Sequence, residues 1–147
     1  MRLWHYQLLP YLPDAQLKGQ LRELVAILHD WRDKGKTNNL LINRVMEYPK
    51  SELLQYYLHF YLAYSHRFEK MPKGDISLEF MLFGDDAPMP DTLRPVYEGW
   101  HNRKYLRVCM ANLFEKHYGI GASRITDEEW KRLLDGYRII TGKNYVI

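Results

Sequence analysis

The sequence of 147 residues has little of what secreted, membrane and metal-binding proteins need. Cys109 is its one cysteine, which excludes a disulfide framework and a zinc site built on cysteines. Cys109 lies in an apolar stretch, so we expect a reduced thiol in the core. No apolar run approaches the roughly 18 residues that a membrane-spanning helix requires, and no apolar stretch of the secretory-signal type precedes Pro10. The sequence thus predicts one cytoplasmic domain over residues 1–147, without a membrane partner.

Short catalytic motifs are also missing from the sequence. It has no phosphate-binding loop, no dinucleotide-binding glycine pattern, no His-Glu-x-x-His and no Gly-x-Ser-x-Gly. The six histidines are scattered singly instead of pairing at the spacing of metal ligands. We therefore expect neither a metal ion nor a cofactor.

The charged residues are unevenly distributed, although the formal net charge is only +3. Residues 1–73 hold 11 basic and 7 acidic side chains, whereas residues 74–147 hold 10 and 11. Within the second half, residues 74–98 are mainly acidic and residues 100–124 mainly basic. A basic face is therefore available to a nucleic acid. The alternative is that these are ordinary solvated charges.

Hydrophobic periodicity predicts an all-α fold with three main helices. The first helix begins near Asp14 and carries one apolar stripe, formed by Leu17, Leu21, Leu24 and Leu28. The second runs from about Ser51 to about Lys70 and is apolar nearly all the way round, which is typical of a central buried helix. The third runs from about Trp100 to His117.

The other segments give weaker signals. From Met71 to Gly99, four prolines and the loss of periodicity predict a long connection. Within it, residues 76–83 are compatible with a short strand or a helical turn. The pair Thr126 and Glu129 has the spacing of a capping box, which predicts a short fourth helix through about Leu134. We expect the tail from Tyr137 to be extended.

Polar residues occupy a second face of the first helix, away from the leucine stripe. At 100° per residue this face comprises Gln16, Gly19, Gln20, Glu23 and Ile27, with Arg22 on the other flank. Glycine inside a helix costs about 1 kcal/mol relative to alanine. One turn before Glu23, Gly19 clears space beside that carboxylate. Two interpretations remain open: the floor of a pocket, or a helix crossing that needs a small residue.

The first half of the sequence carries short motifs in a distinctive order. They are Arg2, then Leu17-x-x-x-x-Arg22-Glu23-Leu24, Lys34-Gly35-Lys36 and Arg44-Val45-Met46-Glu47-Tyr48 before a long apolar helix. This order resembles the pyrimidine-dimer DNA glycosylases. The opening Met1-Arg2-Leu3-Trp4-His5 is similar to a bacterial branch of that family. The resemblance extends from residue 1 to about residue 70, and beyond it only a basic third helix and a Gly142-Lys143-x-Tyr145 tail are similar.

The resemblance implies a compact helical domain and a DNA N-glycosylase with coupled AP-lyase activity that needs no metal. It implies damaged double-stranded DNA as the partner, with pyrimidine dimers as the candidate lesion, and no protein partner. In such enzymes the α-amine of the first residue attacks C1′ of the sugar, and a glutamate in the first helix is essential. These functions match Met1 and Glu23, whereas Arg2 and Arg22 match arginines that hold the phosphates.

The resemblance also supplies further candidates and departures. The bulk of Arg2 should block removal of Met1, so Met1 itself is expected to be the nucleophile. An α-amine, with a pKa of about 7.7 to 8.0, offers more neutral nucleophile near pH 7 than a lysine at about 10.4. Further residues expected to bind DNA are His5, Gln16 (in place of a family histidine), Arg44, Arg103 and Arg107.

Two other functions remain open from the sequence. The first is a non-catalytic helical module that binds nucleic acid through the basic face. The second is a protein-interaction domain in which Arg22 and Glu23 merely pair with neighbouring residues. A carboxylate on an open groove beside the N-terminal amine favours the enzyme, whereas a buried N-terminus favours the alternatives.

Overall fold

The computed structural model describes residues 2–35, 39–72, 76–84, 90–119 and 124–147. All regular structure in these ranges is helical, which confirms the predicted fold class. The chain forms a 3-10 helix, η1 (Tyr6–Tyr11), and the α-helices α1 (Asp14–Asp33), α2 (Leu40–Met46), α3 (Lys50–Phe68), α4 (Ile76–Phe83), α5 (Arg103–Tyr118) and α6 (Asp127–Thr141). Within these ranges no helix has the length and apolar character needed to cross a membrane.

The three predicted main helices correspond to α1, α3 and α5. The leucine stripe of α1 faces inward: Leu17, Leu24 and Leu28 are fully buried, and Leu21 packs partly buried against the core. Helix α3 is central, as its apolar circumference indicated, and it packs against both η1 and α1. Cys109 of α5 is fully buried in the same core, as expected, and burial raises the pKa of its thiol.

Of the two short α-helices, α2 was not predicted, and α4 falls on the stretch for which the sequence left a strand or a helical turn open. Helix α2 begins where the Asn39 side chain accepts hydrogen bonds from the backbone N–H groups of Leu41 and Ile42. Its seven residues are too few to show a period in the sequence. Helix α4 resolves the ambiguous stretch as helical, because its buried residues recur at the helical spacing: Ile76, Phe80 and Phe83.

The prediction for the end of the chain was wrong. Helix α6 starts with the predicted capping box of Thr126 and Glu129, but it continues past Leu134 to Thr141. Residues Trp130, Leu133 and Tyr137 are buried on one face and hold the helix on the core. The helix ends where Gly142 adopts the left-handed conformation, with φ 74°.

Two histidines, His5 and His101, are buried side by side in the core. The His5 and His101 rings stack with centroids 5.2 Å apart. Each ring uses Nδ1 as an acceptor: His5 accepts from the backbone N–H of Gln7, and His101 accepts from that of Tyr6, both at 3.1 Å. A proton on either Nδ1 would remove its hydrogen bond, so the fold requires both rings to be neutral.

We predict that the protein loses stability as the pH falls from about 6.5 towards 4. Burial lowers the pKa of His5 to about 4 and that of His101 well below 6.5. At a pH between the ordinary and the lowered pKa, the unfolded chain binds more protons than the folded one. The contribution of the two neutral histidines to the free energy of unfolding is therefore fully present above pH 6.5 and declines with acidification. The lowered pKa of His5 alone corresponds to a loss of about 3 kcal/mol in the free energy of unfolding once acidification is complete. Urea unfolding of wild type and His5→Phe at several pH values tests this.

In His5→Phe the decline of stability with pH should be shallower. The same measurement on His66→Ala is the control, because His66 is exposed on α3 and its loss should leave the pH dependence unchanged. A decline of equal steepness in wild type and His5→Phe would contradict the assignment.

Candidate active site

An open cleft of about 460 Å³ lies between the N-terminal segment, α1 and α5. Its lining residues are Arg2, Trp4, Ala15, Gln16, Gly19, Gln20, Arg22, Glu23, Asn112 and Lys116. Arg2, Arg22 and Lys116 contribute three cations, against the single carboxylate of Glu23 among these described residues. The cleft is therefore cationic overall, with one carboxylate placed among the cations.

The floor of the cleft is open at Gly19. A Cβ added there would have a guanidinium nitrogen of Arg22 as its nearest neighbour, at 3.5 Å, and no atom of another described helix lies within 4 Å. The interpretation of Gly19 as a helix crossing is therefore not what the structure shows. Gly19 instead leaves space one turn before Glu23.

Arg22 and Glu23 are adjacent in the sequence and lie together in the cleft lining. Within the described ranges, neither side chain forms a hydrogen bond or an ion pair with a protein group. Gln16 next to them has a buried side-chain oxygen without a hydrogen-bond partner. Side chains that served only to stabilise this surface would be expected to satisfy one another. Among the described residues, the cleft therefore offers a free carboxylate and a free guanidinium to a ligand.

The buried amide of Gln20 fixes the N-terminal segment along the cleft. Its Nε2 donates to the carbonyl oxygen of Arg2 at 3.0 Å, and its Oε1 accepts from the backbone N–H of Trp4 at 2.9 Å. Arg2 is therefore held beside α1, with its guanidinium over the Trp4 ring at 5.4 Å. Met1, the predicted nucleophile, lies outside the described residues.

The structure brings four of the predicted site residues together: Arg2, Gln16, Arg22 and Glu23 all line the cleft. His5, which was also predicted to bind DNA, is 1% exposed and forms part of the core, so the structure places it away from the cleft lining.

The other predicted arginines lie outside the cleft lining. The Arg44 guanidinium is bound to Glu47 at 2.8 Å and lies over the Trp100 ring. Arg107 donates to the carbonyl oxygen of Val146 at 2.9 Å. Arg103 is exposed at the start of α5.

Two lining residues on α5, Asn112 and Lys116, were not among the predicted site residues. They stand four residues apart, so they share one face of the helix. That spacing was readable in the sequence, but nothing local indicated that this face of α5 lines the same cleft as Glu23. The arginines Arg103 and Arg107 gave an equally good pattern on a face that proved to lie elsewhere.

A second open cleft, of about 540 Å³, lies near the other end of α1. Trp31 and Arg32 line it, about 12 Å or more along the helix axis from Glu23. Its cations already have protein partners: Arg32 is bound to Asp33 at 3.1 Å, and the Lys50 ammonium lies over the Phe83 ring at 4.8 Å. This cleft is therefore a weaker candidate for binding an anionic ligand.

Comparison with known proteins gives one match. Residues 1–72 match the family described as pyrimidine dimer DNA glycosylase, as the sequence motifs had indicated. No curated protein and no solved structure matches the chain. The matched segment includes every lining residue of the Glu23 cleft except Asn112 and Lys116.

We predict that Gly19→Ala stabilises the protein. With no crossing helix to accommodate, the substitution removes the helix-interior cost of glycine, so the free energy of unfolding should rise by about 0.5 to 1 kcal/mol. Gly136→Ala on α6 is the comparison, because a Cβ there would lie 2.6 and 2.9 Å from two ring carbons of Tyr11. It should cost about 1 to 3 kcal/mol. Urea unfolding measures both, and a destabilising Gly19→Ala would restore the helix-crossing interpretation.

Proposed function

We propose, from the membership of residues 1–72 in the pyrimidine dimer DNA glycosylase family, that the protein is a DNA repair N-glycosylase with coupled AP-lyase activity on damaged pyrimidines. Double-stranded DNA is the substrate, with pyrimidine dimers as the candidate lesion. The observation that carries the proposal is the unpaired Glu23 carboxylate on the floor of an open cationic cleft.

We assign the nucleophile to the α-amine of Met1, one residue before Arg2 in the cleft wall. The amine lone pair attacks C1′ of the damaged nucleotide, and the glycosidic bond breaks as the base leaves with the electron pair and takes up a proton. Opening of the sugar ring and loss of the amine proton give an imine between the protein and C1′. Removal of a C2′ proton then expels the 3′ phosphate by β-elimination, and water releases the protein.

Glu23 has the surroundings that this chemistry requires. Its carboxylate is partly buried and has no protein partner in the described ranges, so it is free to face the sugar. There it stabilises the positive charge that develops on the sugar as the base leaves. It also accepts and returns the protons that the imine steps release.

Arg2, Arg22 and Lys116 are the proposed phosphate contacts. They surround the carboxylate from three elements: the N-terminal segment, α1 and α5. Cations in this arrangement bind the DNA backbone and set its register without reading sequence. Gln16 and Asn112 add amide groups that can hydrogen bond to sugar or phosphate oxygens.

The free carboxylate disfavours the two alternatives. A module that only bound DNA would gain nothing from an unpaired carboxylate among its cations, because Glu23 repels phosphate. A protein-interaction domain that used Arg22 and Glu23 for internal pairing would show them paired, and in the described ranges they are not.

We expect borohydride to trap a covalent adduct between the protein and duplex DNA that carries an abasic site. The adduct should map to the N-terminal peptide, and acetylation of the α-amine should abolish it, because an amide nitrogen has no available lone pair. Glu23→Gln should lower base excision from a dimer-containing duplex by about 10² or more. Trapping at a preformed abasic site skips glycosidic cleavage and should be less affected.

An adduct on a lysine such as Lys18 would move the nucleophile but keep the reaction class. Absence of any adduct with abasic DNA, under conditions where the duplex binds, would contradict the AP-lyase proposal. Excision by Glu23→Gln at the wild-type rate would remove Glu23 from the mechanism.

The dependence of DNA affinity on salt tests the proposed phosphate contacts. Each contact contributes about −0.9 to the slope of log affinity against log salt, so Arg22→Ala should make the slope less negative by about that amount. Arg107→Ala is a matched control, because its guanidinium is engaged by Val146 and Tyr137 outside the cleft lining. Equal changes in both variants would return Arg107 to the DNA-binding surface.

A further inference from the structure

The extended segment from Arg2 to Trp4 has its backbone bound by side chains instead of by a β-strand. Gln20 of α1 bridges the carbonyl oxygen of Arg2 and the N–H of Trp4, as a neighbouring strand would. Tyr105 of α5 donates its hydroxyl to the carbonyl oxygen of Leu3 at 2.6 Å. Three helices therefore hold this segment, because Tyr56 of α3 also donates to the carbonyl oxygen of Trp4 at 2.6 Å.

These hydrogen bonds fix position along the chain as well as orientation. The carbonyl oxygens of three consecutive residues are bound by three different side chains, so a slide of the segment by one residue would break all of them. The Tyr56 hydroxyl also lies 3.2 Å from Oε1 of Gln20, which links two of the three contacts. Gln20 and Tyr56 are both buried, so water does not compete with their hydrogen bonds.

Resting on the proposed function, we propose that Tyr56 and Tyr105 are positioning residues that set where the α-amine of residue 1 meets the sugar. Neither residue lines the cleft, so Tyr56 acts through the backbone that it holds. Tyr105 holds the backbone in the same way, and its hydroxyl also interacts with the Arg2 side chain. Because the segment is held at residues 2, 3 and 4, residue 1 is separated from the held backbone by one Cα–Cα step of about 3.8 Å. The covalent chain therefore limits how far its α-amine can lie from Arg2. Displacement of a reacting group by about 1 Å can slow a reaction by about 10²-fold.

A purely structural explanation is available, because buried backbone groups need partners in any fold. The two explanations predict different behaviour. Loss of a structural hydrogen bond lowers stability but leaves the folded fraction fully reactive. Loss of a positioning hydrogen bond slows attack on C1′ in fully folded protein that still binds DNA.

The experiment compares Tyr56→Phe and Tyr105→Phe with Tyr57→Phe. Tyr57 is the matched control, because it neighbours Tyr56 on α3, is also buried, and donates or accepts a hydrogen bond of 2.6 Å with Ser77 away from the N-terminal segment. Two quantities are measured below the unfolding transition of every variant. One is the single-turnover rate of borohydride trapping at saturating protein on a preformed abasic duplex; the other is the Kd for a duplex with a tetrahydrofuran abasic analogue.

Tyr56→Phe and Tyr105→Phe should lower the trapping rate about tenfold or more with an unchanged Kd, whereas Tyr57→Phe should change neither. Rates equal to wild type in both test variants would overturn the positioning proposal, as would an equal slowing in Tyr57→Phe or an effect confined to Kd. Failure of wild-type protein to form any adduct would instead count against the proposed function.

A second measurement does not depend on the folding of the tyrosine variants. One glycine added before Met1 moves the α-amine by about 3.8 Å while leaving residues 2–4 and their partners intact. The extended protein should bind the tetrahydrofuran duplex normally and trap the abasic duplex at least about tenfold more slowly. Trapping at the wild-type rate would show that the position of the amine is not set by these contacts.

Discussion

The fold and the cleft depend on one constraint: the backbone N–H and carbonyl groups of the segment from Arg2 to Trp4 need hydrogen-bond partners, and no neighbouring strand supplies them. An unsatisfied buried backbone group costs about 1 to 3 kcal/mol, so three unsatisfied groups would consume a large fraction of the stability of a small domain. The buried amide of Gln20 and the hydroxyls of Tyr56 and Tyr105 supply the partners. Because each comes from a different main helix, the same contacts that stabilise the segment tie α1, α3 and α5 to one another.

This constraint links the core of α1 to its functional surface. Gln20 is buried and holds the backbone, whereas Glu23, three residues later, is partly exposed and lines the cleft. Gly19, next to Gln20, keeps the surface between them open. One turn of α1 therefore carries three functions: Gln20 holds the N-terminal segment, Gly19 leaves the floor of the cleft open, and Glu23 presents the carboxylate. A shift of this turn would change all three together.

The part of the site that was predictable from the sequence is the part that is local in it. The leucine stripe orients α1, and its other faces place Gln16, Arg22 and Glu23 beside the cleft whatever packs against them. The wall formed by Lys116 was not predictable in this way, because Lys116 lies 93 residues beyond Glu23 and lines the same cleft only through the tertiary fold. The burial of His5 was not predictable either: its ring stacks on that of His101, which lies 96 residues further along the chain.

The boundary of the family match does not coincide with the boundary of the site. Residues 1–72 contain Glu23, Arg22 and the segment that carries Arg2. One wall of the cleft, however, includes Lys116 of α5, and the segment is held by Tyr105 of the same helix. Helix α6 supports η1, since the Arg132 guanidinium donates to the carbonyl oxygen of Tyr11, the last residue of η1, at 3.3 Å. The groups proposed for bond breaking thus belong to the matched half, whereas the wall opposite them belongs to the half beyond residue 72. Substitutions on α5 can therefore change the wall of the cleft without altering Glu23 or the residues around it on α1.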